Sequence, residues 1–498
     1  MNRRHSLSVL AGLCTVLMFY IFVDYSTSNF MNRSSTFIGW HGKSARQLVD
    51  AIKLGQELEW LSNGNFFPMW GSTFLLALTD FGLLANRSFL AFRAAIIIPL
   101  ALSVWVGAEL LRIRYGRVGW WAGWLMALNP VSLQLIGGVY DAMLSSAWFA
   151  LAGMVFIYAE LAPERQWRWY AIAGGLLGLC FNIRSDMLYP VVGAIVVAAL
   201  WDRRPQHLAR LGLVVGLIAL CLAPWTLAQH QRWGNWSPTS ANTGHVAFIS
   251  LGQIEDAAWD VKHIDGYRFD EVDAEILPRW GARLPADNHY ARMYSPPASA
   301  VYFRMFRVEV MANPRAYIRG LLQKGEAILT SDKLGVLIRG ECMAPNANYR
   351  KLLPLKKVCS DRIFSTSVLT AFVNGGLVIM LWLGGWGLVN GPRRAPLLAF
   401  PGLIGSATFV LLCGFQYLER HLYSVTGMLG LVWLVAALEL VQFLLRRRQL
   451  GSVPELQDLG TADGLLLGGA IRGPASGFIE LSGAGVALQN PEDGLLKP

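Results

Sequence analysis

Residues 90–117 read LAFRAAIIIPLALSVWVGAELLRIRYGR. Between Arg93 and Arg112 the only charge is Glu109, and the run then stops on Arg112, Arg114 and Arg117. A helix rises about 1.5 Å per residue, so about 20 apolar residues match the ~30 Å hydrocarbon core of a bilayer. The stretch reads as a membrane span closed by a basic loop, and the same alternation of apolar block and short basic cluster recurs along the chain.

Composition agrees. Of 498 residues, 54% are hydrophobic and only 15% charged, with a mean hydropathy of +0.39. A soluble domain carries about 25% charged residues, so a soluble enzyme and a disordered chain are both excluded. A net charge of +10 would suit a nucleic-acid partner if it lay on one face. Here Lys and Arg sit between apolar blocks, which is the positive-inside pattern, and no nucleic acid is expected.

Working outward, Arg3-Arg4 precede an apolar run from Leu7 to Val23. No small-x-small cleavage site closes it, so an uncleaved first span is preferred to a signal peptide. Residues 24–88 form the first outer segment, with an amphipathic stretch at about 43–60 and a half-apolar one, Phe66 to Leu84, expected to lie in the interface. Further spans are expected at about 118–136, 142–159, 169–183, 188–201, 209–227, 366–389, 396–415 and 423–445. The fold class is therefore an all-α polytopic membrane protein of about ten spans, with a mixed extracytoplasmic loop domain. Residues 1–228 carry the first seven spans, 229–364 the extracytoplasmic domain, 365–448 the last three spans, and 449–498 a disordered cytoplasmic tail. The Arg-rich inside pattern fits a bacterial inner membrane with the large loop outside.

Of six cysteines, Cys14, Cys180, Cys221 and Cys413 lie within spans and read as small apolar residues. Cys342 and Cys359 share the outer region, where an oxidising compartment would pair them as a disulfide. No Cys/His spacing resembles a zinc site. His245, His263 and His289 read as surface residues.

No phosphate-cradling loop or nucleophile elbow stands in a sensible context, so chemistry is sought where polar residues meet the outer membrane face. Four places qualify: Trp40-His41-Gly42-Lys43 with the helix after it, Tyr140-Asp141, Arg184-Ser185-Asp186 and Glu419-Arg420-His421. Charges at such depths are expensive and usually face a cavity or one another. Each has a plainer reading. Arg46, Asp50, Lys53 and Glu57 have the spacing of a solvated salt-bridge stripe, Asp141 of a helix cap, and the two Arg-containing turns of headgroup anchors.

At these same places the sequence resembles the GT-C glycosyltransferases that use lipid-linked sugars, in particular the ArnT-like and protein-mannosyltransferase-like branch. The likeness runs through Ala51-Ile52-Lys53-Leu54-Gly55, Phe67-Pro68-Met69-Trp70-Gly71, Phe92-Arg93, Tyr115-Gly116, Asn129-Pro130 with Tyr140-Asp141, and Asn182-Ile183-Arg184-Ser185-Asp186. It continues through Pro224-Trp225 with Arg232-Trp233-Gly234 and Asn242-Thr243-Gly244, then Asn313-Pro314-Arg315-Ala316-Tyr317 and Glu419-Arg420-His421-Leu422-Tyr423. The resemblance implies transfer of a sugar from a polyprenyl-phosphate donor to a protein, lipid or glycan acceptor at the extracytoplasmic face. Arg184, Arg420 and Lys43 would then bind the donor phosphate, and Asp50, Asp141 or His41 would take the acceptor's proton. Some relatives use a divalent cation, but no ligand set is visible. The sequence departs from the family in the first outer loop, where Ile38 to Ser44 holds no carboxylate and the usual base is missing. That keeps two other classes open: a lipid-linked-glycan transporter or flippase, and a scaffold that kept the fold without the chemistry.

Overall fold

The first deciding stretch folds back on itself at one glycine. In the computed structural model, helix Leu90–Trp124 contains Gly116 at φ 65°, ψ −145°, a conformation open to glycine and strained for other residues. Beyond it the second limb returns along the first. Trp120 donates from Nε1 to Glu109 (3.2 Å), and a Cβ built on Gly123 would fall 2.3 Å from the Ala108 Cα. The basic loop expected at residues 112–117 is thus a tight reversal, closed by small residues that let two backbones touch.

The structure describes residues 3–27, 43–54, 70–78, 90–136, 141–161, 166–240, 242–253, 259–284, 289–330, 366–390, 396–414 and 419–451. His41, Cys342 and Cys359 lie outside them, as does the tail from residue 452. Two compact units divide the chain, Met1–Phe443 and Leu444–Pro498; of the second, only the end of the last helix is described.

The helices, in chain order, are α1 Arg3–Thr27, α2 Lys43–Leu54, α3 Trp70–Leu76, α4 Leu90–Trp124, α5 Pro130–Ile136, α6 Asp141–Leu161, α7 Gln166–Ile183, α8 Leu188–Trp201 and α9 Pro205–Trp233. The polar region contributes α10 Thr243–Ile249, α11 Phe269–Trp280, α12 His289–Met293, α13 Pro296–Ala312 and α14 Pro314–Thr330. Three more complete the bundle: α15 Thr366–Asn390, α16 Pro396–Gly414 and α17 Glu419–Gly451. No strand occurs among the described residues, so the polar region is helical there rather than mixed.

The chain is an integral membrane protein. Among the described residues six helices are long and apolar enough to cross a bilayer, and one of them is the α4 hairpin with its extension to Leu133. The count of ten is not reached on this criterion: the α4 hairpin and its extension, two expected spans, count once, and α7 (18 residues), α8 (14 residues) and α16 (19 residues) are not among the six. At ~1.5 Å per residue, α8 falls below the hydrocarbon thickness and needs local thinning or a neighbour at its ends.

Packing follows the small residues. α6 packs on α4 and α7, α7 on α9, and α15 on α16. Asn129 caps α5 by accepting from the Val131 and Ser132 backbone N–H groups (3.1 and 3.3 Å), and its amide donates to the Thr426 carbonyl of α17 (3.0 Å). One side chain therefore starts a helix and ties it to another.

The polar region has its own core of Phe248, Phe269, Val272, Ile276, Met293 and Tyr302. His245 belongs to it and is not a surface residue: it is 1% exposed, its Nε2 accepts from the Gly266 N–H (3.3 Å), and Tyr294 and Tyr302 flank its ring. The aromatic neighbours exclude water, and this burial pulls the imidazole down to about 4. His263 is half-buried, and His289 is exposed as expected.

Two outcomes follow. Gly123→Leu should collapse the α4 hairpin and lower the detergent thermal midpoint sharply, whereas Gly212→Leu, where nothing lies within 4 Å, should leave it nearly unchanged. Below pH 6.5 an unfolded His245 binds a proton that the native ring refuses until about pH 4. Native stability at this position is thus complete above pH 6.5 and falls between 6.5 and 4. In thermal unfolding at stepped pH, His245→Gln should show a shallower loss over that window than the wild type.

Candidate active site at the polar-region end of the bundle

Pairings along the helices sort their ends. Ser145 lies by Cys180, Trp148 donates to the Ala95 carbonyl (3.0 Å), and the Ser240 N–H donates to Ser185 Oγ (3.1 Å). These contacts gather the start of α6, the start of α4 and the α7–α8 turn at the end where the polar region begins. α14 joins them, because Tyr317 donates to the Gly414 carbonyl at the end of α16 (2.6 Å). The opposite end holds the basic clusters: Arg114 bonds Glu439 (2.5 Å), Arg204 bonds Asp202 (3.1 Å), and Glu109 accepts from Arg112 (2.7 Å).

The α7–α8 turn is built by its own sequence. α7 stops at Ile183, Arg184 is extended (φ −146°, ψ 124°), and Ser185–Met187 form a single 3-10 turn before α8. The turn throws Arg184 back over Asp186, and the guanidinium donates to both carboxylate oxygens, Nε to Oδ1 (3.3 Å) and Nη2 to Oδ2 (2.8 Å). The arginine side chain is 12% exposed and the aspartate 29%. A fork held on two points has few rotamers left, so the guanidinium is fixed in place. Thr408 of α16 lies over Met187 at 4.0 Å and fixes the turn against the far half of the bundle.

A second pair stands at the same end. Arg93 and Asp24 approach at 3.4 Å with side chains 8% and 10% exposed. α1 and α4 are antiparallel, with His5 against Glu109 (3.0 Å) at the other end, so this contact closes the mouth between the two helices. Sequence reasoning quoted Arg93 without a role and passed over Asp24. The available signal was a charge at each end of otherwise apolar runs.

Lys324 is the third missed residue. α14 buries Ala316, Gly320, Lys324 and Ile328, one residue per turn on one face. The ammonium lies near the Cys413 thiol and is 4% exposed; burial pulls it down to about 8. A lysine inside a four-residue-spaced stripe of small and apolar residues is legible in sequence once the helix is known.

The expected site residues are distributed as follows. Asp141 is the first residue of α6 and Arg420 lies in the first turn of α17, both at the polar-region end, since Thr426 is bonded to Asn129 and paired with Ser146 at 3.5 Å. Their side chains lie outside the described residues. Lys43 begins α2, which packs on α3, and α3 in turn packs on α7. Asp50 is exposed on α2 beside exposed Arg46 and Lys53, while Ala45 and Leu48 are buried, the arrangement of a solvated face. His41 is outside the described residues. Among those residues no group of three or more His, Cys, Asp or Glu side chains is placed to hold a metal ion.

No protein-family model matches the chain, and no curated protein matches it by sequence. Among solved structures it is similar to the archaeal oligosaccharyltransferase AglB from Archaeoglobus fulgidus, in complex with an inhibitory peptide and a dolichol-phosphate, at 16% identity and a TM-score of 0.36. That similarity covers 79% of this chain and 45% of AglB, so the chain spans less than half of that protein's length. It is also similar to ArnT from Cupriavidus metallidurans bound to undecaprenyl phosphate, at 12% identity and a TM-score of 0.35, covering 84% of this chain and 77% of that one. For the apo state of ArnT the values are 13% and 0.30, with 78% and 72% covered.

Breaking a buried pair leaves one charge uncompensated and costs about 3–5 kcal/mol, while replacing both partners costs less. Asp24→Asn and Arg93→Met should each destabilise the detergent-solubilised protein strongly. The double variant should recover part of the loss, and strict additivity would show that the two groups do not interact.

Proposed function

We propose that the chain is a membrane glycosyltransferase that moves a sugar from a polyprenyl-phosphate donor to an acceptor at the polar-region end of its bundle. The observation that carries this reading is the Arg184–Asp186 turn. It presents a pre-aimed guanidinium at the same end as Asp141, the first turn of α17 and the Asp24–Arg93 pair. The order of sequence features described above supplies the reaction class.

The chemistry then has three requirements. The donor's isoprenoid lies along apolar helix surface at the bilayer level. The acceptor's nucleophilic atom attacks the anomeric carbon, and the bond from that carbon to the phosphate oxygen breaks. The polyprenyl phosphate leaves with increased negative charge, which Arg184, assisted by Arg420 and Lys43, stabilises through donors already in place. The acceptor's proton passes to a carboxylate, Asp141 or Asp50, or to His41. Asp141 has the better position of the two carboxylates, because it opens α6 at the bundle mouth while Asp50 faces away from the buried side of α2.

The full chain is purified into nanodiscs and co-purified lipid is identified by mass spectrometry. The wild type should retain a polyprenyl phosphate or its glycoside. Arg184→Ala should lose about tenfold of it, the scale of a charge-assisted hydrogen bond, and Arg447→Ala should not. Equal retention in both variants would reduce Arg184 to an interfacial anchor. Accumulation of the glycosylated lipid in Asp141→Asn, with binding kept, would identify the base.

A further inference from the structure

α9 ends in a cluster of arginines and indoles that the transfer reaction does not use. Its 29 residues run from Pro205, just after Arg203-Arg204, to Trp233. At ~1.5 Å per residue this is about 43 Å, the thickness of a bilayer with its headgroups. Arg232 and Trp233 therefore sit at headgroup depth in the leaflet on the polar-region side.

Arg283, at the end of α11, is brought against them. Arg232 Nη2 donates to the Arg283 carbonyl (2.9 Å) and Arg283 Nη1 donates to the Arg232 carbonyl (2.8 Å). Two like charges are thus held side by side by reciprocal bonds to backbone. Arg279 adds a third: both it and Arg283 lie 5.6 Å from the Trp280 ring centre, while Arg232 lies 5.1 Å from that of Trp233. The two indoles meet edge to face at 5.8 Å.

Arg279 and Arg283 put two exposed cations in this cluster. The nearby acids are engaged elsewhere: Glu271 with Arg268, Asp273 with Arg292 and Glu275 with Arg304. Among the described residues, neither Arg279 nor Arg283 forms an ion pair with a carboxylate. Both are exposed and lie over the Trp280 ring, and Leu277, one turn earlier on α11, is exposed too. Guanidinium over indole at headgroup depth is the profile of a site for a phospholipid phosphate.

We propose that Arg232, Arg279 and Arg283, backed by Trp233 and Trp280, dock the phosphate of an anionic phospholipid in the leaflet on the polar-region side. The site rests on α9 spanning the bilayer and does not depend on the transferase reading.

The full chain is reconstituted in nanodiscs of mixed phosphatidylglycerol and phosphatidylcholine, and lipids retained through delipidation are counted by native mass spectrometry. Each arginine near an anionic surface is worth about a fivefold change in affinity. Arg279→Gln, which disturbs no backbone bond, should reduce phosphatidylglycerol retention about fivefold, and Arg279→Gln with Arg283→Gln further. Phosphatidylcholine should not change. Arg304→Gln, which removes an arginine already paired with Glu275, should retain the wild-type amount. Equal retention in all variants, or equal loss in Arg304→Gln, would overturn the site. Displacement of phosphatidylglycerol by equimolar polyprenyl phosphate at this cluster would overturn the phospholipid assignment in favour of the lipid-linked donor.

Discussion

Arg93 stands almost at the head of an apolar run, and without Asp24 it would have to leave the membrane or lose its charge. Their contact at 3.4 Å lets α4 begin where it does and ties it to α1. A charge in hydrocarbon is expensive enough to decide position, and the same constraint governs the rest of the chain. Glu109 is answered by His5, Arg112 and Trp120, Arg114 by Glu439, and Arg184 by Asp186. Each of these pairs lies near a helix end. Between them the helices meet through glycine, alanine and serine, where backbones approach closely.

This division produces two unlike ends. One carries arginines paired with acids, beside the reversal at Gly116. The other carries the polar region and a set of charged groups aimed by local geometry. The α7–α8 turn is the clearest case: one extended residue followed by one 3-10 turn folds Arg184 onto its own neighbour two residues along. A phosphate arriving there meets a guanidinium that has few rotamers left to lose. The arginine cluster at the end of α9 differs in kind. Its Arg279 and Arg283 are exposed over an indole, an arrangement suited to the membrane rather than to a reacting bond.

Much of this was legible in the sequence because membrane helices announce themselves by length and apolarity. The apolar blocks and the Arg184-Ser185-Asp186 turn are local features and stand where their residues say, whereas the span expected at about 118–136 breaks at Asn129-Pro130. What escaped was set by partners far along the chain. Asp24 meets Arg93 across a long segment, and nothing near either residue names the other. Lys324 reads as one charge on a polar helix until α14 is laid against α16 and its stripe turns inward. His245 stands in sequence where a polar run meets an apolar one, Val246–Ile249, and its aromatic neighbours Tyr294 and Tyr302 come from far along the chain. The expected span count exceeded the helices that meet the length criterion because α4 and its extension run as one hairpin and α7, α8 and α16 fall outside that criterion.

The central claim is chemical transfer at the polar-region end, and turnover tests it most directly. Purified protein in nanodiscs would be given a polyprenyl lipid extract together with a cell-envelope extract that supplies protein, lipid and glycan acceptors, with the glycosylated and free polyprenyl phosphates followed by mass spectrometry. The account predicts net conversion of the glycosylated lipid to polyprenyl phosphate by the wild type and its loss in Arg184→Ala. Intact lipid carried between leaflets without conversion, under conditions where a reference transferase turns over the same extract, would contradict it.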